Sequence, residues 1–130
     1  MIGALHIIAS CAAALVAVVA WFYSENPARD ALVRRACGAL SLSAIVFGLV
    51  AMGPRHRALA QHSLSAAAFF ERHAYVGAVS LVAGIALAIV RRESETKTKR
   101  AIAVSVAVGA AIALSCVAMV HAYAPSAAIE

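Results

Sequence analysis

Four uncharged apolar runs alternate with short polar connections along the chain. The runs cover residues 2–24, 36–53, 74–90 and 101–123. Each is close to the roughly 20 residues that an α-helix needs to cross about 30 Å of hydrocarbon. The runs lack the residue-by-residue alternation of barrel strands, so helices are the expected spanning element. The pattern therefore predicts an all-α fold, a single domain (1–130) of four transmembrane helices in up-down-up-down order.

The composition limits where chemistry can occur. The chain has 130 residues, of which 64% are hydrophobic and 13% are charged. This leaves no room for a soluble catalytic domain, so any site must lie among the helices or at their ends. The four runs contain no charged residue, which disfavours a transporter built on an intramembrane carboxylate. No Ser/His/Asp set falls at one depth, so we expect a protein that is not an enzyme.

The distribution of Lys and Arg predicts the orientation. The connections after the first and third runs carry eight of these residues, and the remaining parts carry three. The eight are Arg29, Arg34, Arg35, Arg91, Arg92, Lys97, Lys99 and Arg100, and the three are Arg55, Arg57 and Arg72. The bias predicts a bacterial inner-membrane protein with both termini outside. The charge of +5 is then a topology signal rather than a nucleic-acid surface, and residues 91–100 are expected to form a solvated loop.

Helix boundaries are indicated by caps and prolines. Asn26 and Pro27 are the expected N-cap and first residue of the second helix, which brings its arginines to the surface before it enters the membrane. Gly53–Pro54 is expected to end that helix, and Pro125 the fourth. The connection over residues 54–72 has enough apolar residues either to lie along the outer interface or to extend the third helix.

Small residues predict how the third and fourth helices pack. They recur at four-residue spacing, which lets two backbones approach closely where the hydrophobic effect no longer drives association. The two rows are Ser80, Gly84 and Ala88, and Ser105, Gly109 and Ala113. We expect the two helices to touch along these faces. The three cysteines show no C-x-x-C spacing and are interpreted as small packing residues.

The histidines carry the functional signal. All five fall on the predicted outer side: His6, His56, His62, His73 and His121. Counting about 20 residues from the cytoplasmic edges places His6, His73 and His121 within about one turn of the outer boundary, on three different helices. These three are the candidate cofactor ligands, and His56 and His62 lie on the connection above them.

Such a layer of imidazoles has three interpretations, two with a cofactor and one without. Two of the three can serve as axial ligands of a b-type haem, whose propionates would pair with Arg55, Arg57 or Arg72. Alternatively, the three histidines can bind copper or zinc, with His62 and Glu71 as further metal ligands. The third interpretation has no cofactor, and each histidine is then an interfacial residue bonded to water, headgroups or carbonyls.

The layout resembles a class of membrane protein. His6 enters the first run, Gly53 ends the second, and His62 with Glu71–Arg72–His73 leads into a third that closes on Arg91–Arg92. In this it resembles small bacterial four-helix membrane proteins and, more distantly, four-helix cytochrome b subunits. The second resemblance implies paired axial histidines, which here are restricted to His6, His73 and His121. This chain departs from the di-haem pattern of those subunits, because no histidine falls near the cytoplasmic face.

Together these features predict an integral inner-membrane protein with a histidine site on its outer side. The expected role is electron transfer or metal handling with a partner. The alternative is a cofactor-free accessory subunit of a larger membrane complex. The expected partners are the lipid bilayer and either another membrane protein or further copies of this chain, but no nucleic acid.

Overall fold

The computed structural model describes residues 2–22, 26–90 and 96–123, and it consists of four α-helices. They are α1 (Ile2–Phe22), α2 (Pro27–His62), α3 (Leu64–Ile89) and α4 (Thr96–Tyr123). Apart from Val90, which follows α3 directly, the four predicted runs fall within these helices where the structure describes them, so the predicted all-α fold is confirmed. Tyr23, Arg91, Arg92 and Pro125 lie outside the described residues, as does the predicted end of the fourth helix at Pro125.

All four helices are long and apolar enough to cross a membrane. In the most apolar 18-residue window of each helix, only 22 to 39% of the residues are buried inside the bundle. Large apolar side chains such as Leu15, Leu32 and Val79 instead lie on the outside. Because a water-soluble bundle buries its apolar stripe, this distribution is that of a membrane-spanning bundle with lipid around it.

The helices form a closed ring. Each helix packs against the next one in sequence and α4 packs against α1, whereas the diagonal pairs barely touch. The larger core cluster is built mainly from alanines, including Ala13, Ala17 and Ala44. A second cluster contains Leu59 and Phe70. The many alanines allow close backbone approach, which drives association inside a bilayer.

The start of α2 matches its prediction. The Asn26 side chain accepts hydrogen bonds from the backbone N–H groups of Ala28 and Arg29, at 3.1 and 3.3 Å. Pro27 occupies the first helical position, where its missing N–H costs nothing. Asn26 and Pro27 therefore begin the helix as N-cap and first residue.

The predicted end of α2 at Gly53–Pro54 is wrong. The helix continues through Pro54 to His62, and the next helix begins two residues later at Leu64. An interior proline costs about 3 kcal/mol, but the residues beyond it are buried: Arg55 is 4% exposed and Leu59 is 0% exposed. Packing of this last segment offsets the cost of the proline.

The connection over residues 54–72 is thus shared between two helices. Its first part extends α2 and its second part extends α3, with Ser63 at the junction. The Ser63 backbone N–H donates to the Leu59 carbonyl, and its hydroxyl accepts from the Ala66 N–H. One serine therefore ends one helix and caps the next. Of the two alternatives that the sequence left open, the structure shows the extension of the third helix, which begins at Leu64, and no separate helix forms over residues 54–72.

The predicted contact between α3 and α4 is correct in part. The Ser105 hydroxyl donates to the Ser80 carbonyl at 3.1 Å. A Cβ on Gly109 would lie 2.9 Å from Leu81 of α3. Gly84, however, lies against the side chain of Ser41 on α2. The row Ser80, Gly84 and Ala88 therefore faces α4 only in part, because in a four-helix ring α3 has two neighbours.

On that second side, α3 packs closely against α2. A Cβ on Gly38 would lie 2.8 Å from the methyl group of Ala88. The Gly84 Cβ position collides with Ser41 and is also 3.2 Å from Val106 of α4. The small residues of the third run thus allow close approach on two sides of the helix rather than on one.

Candidate functional site

His6 is held between α1 and α2. Its Nδ1 lies 2.7 Å from the carbonyl oxygen of Ala44 on α2. Because a carbonyl oxygen only accepts, Nδ1 carries the proton and donates. The bond fixes the ring and leaves Nε2 as the nitrogen for any ligand. Gly48 makes room for the ring, since a Cβ there would lie 2.8 Å from His6 Cε1.

Arg55 makes the reciprocal contact from α2 to α1. A Cβ on Gly3 would collide with the guanidinium of Arg55, so Gly3 provides the space that the arginine occupies. The two helices therefore exchange polar side chains across their interface, His6 over Gly48 and Arg55 over Gly3. The sequence placed Arg55 at the outer rim as a contact for haem propionates. Arg55 is 4% exposed, because α2 continues past Pro54, and its contact with haem propionates stays a prediction.

His6 and Arg55 line a cavity of about 40 Å³, which we call the His6 cavity. Its wall also carries two sulfur-containing side chains, Met52 of α2 and Cys116 of α4. The rest of the lining is mainly apolar and includes Phe70, Leu81 and Ile112. One buried water needs about 10–15 Å³, so the space suits an ion or a few waters.

The other predicted ligands lie elsewhere at this end of the bundle. Neither His73 nor His121 is in the wall of the His6 cavity. His73 Nδ1 donates to the Phe69 carbonyl of its own helix at 2.9 Å, and its ring stacks on Phe69 at 3.7 Å between centroids. His121 is exposed. The cofactor-binding role of these two histidines stays a prediction.

The remaining candidate site residues of the connection over residues 54–72 lie on the surface or close to it. His56 Nε2 is 3.5 Å from Glu71 Oε2, in a pair whose side chains are 38% and 46% exposed. His62, Arg57 and Arg72 are exposed. Within the described ranges, no group of three or more His, Cys, Asp or Glu side chains is close enough together to hold a metal.

Sequence reasoning missed a second polar group, at the opposite end of the bundle. Asp30 is 0% exposed and Lys99 is 4% exposed. Lys99 Nζ lies 3.4 Å from Asp30 Oδ1, and Arg34 Nε lies 3.2 Å from Asp30 Oδ2. We call these three residues the ion-pair cluster. The expected solvated loop over residues 91–100 is wrong for its described part, because Thr96 already begins α4 and Lys99 points inward.

The ion-pair cluster joins three helices. Asp30 and Arg34 lie on one face of α2 at i,i+4 spacing, and Lys99 lies in the first turns of α4. Arg34 Nη1 also donates to the Val90 carbonyl at the end of α3, where a cation is favoured by the helix dipole. The i,i+4 spacing of Asp30 and Arg34 indicates an ion pair from the sequence alone. No local pattern indicates that Lys99 would contact Asp30.

Comparison with known proteins gives no relative for this arrangement: no family model, no curated protein and no solved structure matches the chain. The functional argument therefore rests on the two polar groups and their surroundings.

Proposed function

We propose that this chain is an inner-membrane protein of up-down-up-down topology that binds a metal ion at His6, on the outer side, for metal handling or electron transfer with a partner. The observation that supports this is the hydrogen bond from His6 Nδ1 to the Ala44 carbonyl. Metal-binding histidines almost always donate their second ring nitrogen in this way, which orients the ring and raises the basicity of the other nitrogen.

The size of the cavity favours a metal ion over a haem. About 40 Å³ holds an ion with one or two waters, whereas a porphyrin would require the helices to separate. The haem prediction is therefore the second candidate, and it has a distinct spectroscopic signature. A cofactor-free accessory subunit is the third.

Metal content and absorption spectra separate the three candidates. The protein is purified in mild detergent after expression with added haem precursor, iron, copper and zinc. We expect one metal ion per chain in the wild type, no metal in His6→Ala, and unchanged metal in His56→Ala, whose imidazole pairs with Glu71 at the surface. A Soret band would identify haem instead. A colourless, metal-free protein would support the accessory subunit.

The predicted orientation has its own test. Thr96 is exposed at the start of α4, on the side that the Lys and Arg bias assigns to the cytoplasm. In a cysteine-free background, Thr96→Cys should resist a membrane-impermeant thiol reagent in intact cells and react after the membrane is opened. Labelling in intact cells would reverse the topology and place the His6 cavity on the cytoplasmic side.

A further inference from the structure

Three soft or borderline metal donors from three helices line one cavity. His6 belongs to α1, Met52 to α2 and Cys116 to α4, and all three line the His6 cavity. We propose that this cavity is a Cu(I) site with His6 Nε2, Met52 Sδ and Cys116 Sγ as its ligands. The inference rests on the proposed function and specifies both the metal and the two sulfur ligands.

The two sulfur side chains are set in the wall by packing. Cys116 is 7% exposed and belongs to the core cluster with Leu59 and Phe70. Met52 is partly buried against the same cluster. Both side chains therefore keep their positions beside the cavity through contacts that do not involve a metal. His6 is fixed separately by its bond to Ala44.

Ligand chemistry selects the metal. Thioether and thiolate sulfur favour Cu(I) among the first-row metals, and imidazole binds copper as well. A structural zinc site would instead take four Cys or His ligands. Among the described lining residues the donors of this kind are one histidine and one cysteine, with the thioether of Met52 beside them. The set thus fits a three-coordinate monovalent soft ion.

The positive charge of Arg55 in the cavity wall also favours Cu(I). Arg55 lines the same cavity as Cys116. A guanidinium opposes a divalent cation more strongly than a monovalent one. Cu(I) with one thiolate is a neutral pair, which costs less to bury inside a membrane than a pair with a net charge.

Binding by this route needs no redox partner. Cu(I) arrives and remains Cu(I), the copper–sulfur bond to Cys116 replaces the S–H bond, and the released proton goes to bulk water. The affinity should accordingly rise with pH, because copper competes with one proton for the thiolate. Copper delivered as Cu(II) would have to be reduced beforehand by an external reductant such as ascorbate.

The test is a competition titration of the full-length detergent-purified protein. Cu(I) is supplied with ascorbate, and a chromogenic Cu(I) chelator reports the free ion. We expect one Cu(I) per chain. Cys116→Ala should weaken binding by more than about 100-fold, since loss of an outer-shell partner alone costs 10–100-fold. Met52→Leu, which nearly conserves volume, should weaken it less. X-ray absorption at the copper edge should show both sulfur and nitrogen ligands.

The chain offers a matched control for each variant. Cys37 is buried in the other core cluster, with its thiol near the Ala13 carbonyl, so Cys37→Ala should bind copper as the wild type does. Met119 packs against the same cluster as Met52 but is absent from the cavity wall, so Met119→Leu is the control for Met52→Leu. Circular dichroism of each variant shows whether it has folded.

The outcomes separate this inference from the proposed function. Binding of any metal that is lost in His6→Ala but unchanged in folded Cys116→Ala and Met52→Leu would contradict the Cu(I) site and leave the proposed function intact. Tighter binding of Zn²⁺ than of Cu(I) would also contradict the Cu(I) site and leave the proposed function intact. Failure to bind copper, zinc, iron or haem would contradict both. If folded Cys116→Ala fails to retain Cu(I) and the two controls retain it, the inference is supported.

Discussion

The two ends of this bundle bury polar side chains in different ways. In the ion-pair cluster, Asp30 lies within 3.4 Å of both of its cationic partners, and Arg34 caps the end of α3. At the other end, His6 and Arg55 border an open space of about 40 Å³. Asp30 and Arg55 are about 38 Å apart along α2 at 1.5 Å per residue, so the two groups are independent.

This difference separates a structural role from a binding role. Opposite charges that pair with one another and cap a neighbouring helix fasten three elements together. Donor atoms that border a cavity can take a ligand. Burial of a polar group alone therefore does not identify a site in this protein. Open space beside the polar group is the feature that identifies a candidate site here.

The largest expected effect comes from breaking the ion-pair cluster. Asp30→Ala leaves Lys99 and Arg34 buried without their carboxylate, which should lower the free energy of unfolding by about 3–5 kcal/mol. Denaturation of the purified protein in detergent measures it. If the cluster is structural, Asp30→Asn combined with Lys99→Met should recover part of the loss, and metal binding at the other end should be unaffected by the double variant. Loss of metal binding in a folded double variant would show that the two ends are coupled.

Filling the space at the His6 end should have the next largest effect. Gly48→Leu places a branched side chain where the His6 ring lies, which should cost about 1–3 kcal/mol by overpacking and should also abolish metal binding. Gly53→Ala is the control, because nothing lies within 4 Å of a Cβ there. It should be neutral or slightly stabilising, by up to about 1 kcal/mol from helix propensity. Equal stability of Gly48→Leu and Gly53→Ala would mean that the close contact at His6 does not exist.

Leucine substitutions at two glycines of the small-residue rows should open different helix–helix interfaces. Gly109→Leu collides with Leu81 and should separate α3 from α4, whereas Gly84→Leu collides with Ser41 and should separate α2 from α3. Each should cost about 1–3 kcal/mol. Cysteine cross-linking between facing positions of each helix pair identifies which interface has opened. The assignment of Gly84 to α2 would be wrong if its leucine variant opened only the α3–α4 pair.

The smallest expected effect is at the surface pair of His56 and Glu71. Its side chains are 38% and 46% exposed, so Glu71→Gln should change the free energy of unfolding by less than about 1 kcal/mol. The same denaturation measurement as for the ion-pair cluster applies. A loss comparable to that of Asp30→Ala would show that this end of the bundle also depends on an ion pair.

The candidate site could be predicted only in part. His6 was identified from its position near the outer end of the first run, and Arg55 was assigned to the same region. The contribution of Met52 and Cys116 was not predicted, because a lone methionine and a lone cysteine in apolar runs are indistinguishable from packing residues. Lys99 was assigned to a solvated loop, since charged residues beside a span normally lie in water.

The sequence by itself determined the four helices and their membrane character. Twenty apolar residues and the lack of water in the bilayer leave few alternatives to a helix, and the Asn26–Pro27 cap is a local interaction. The tertiary structure decided whether α2 would stop at Pro54, which side of α3 would contact each neighbour, and which polar side chains would be buried together. These outcomes depend on contacts between residues far apart in the chain, such as Gly3 with Arg55 and Asp30 with Lys99. Neither local propensity nor the spacing of hydrophobic residues encodes such contacts.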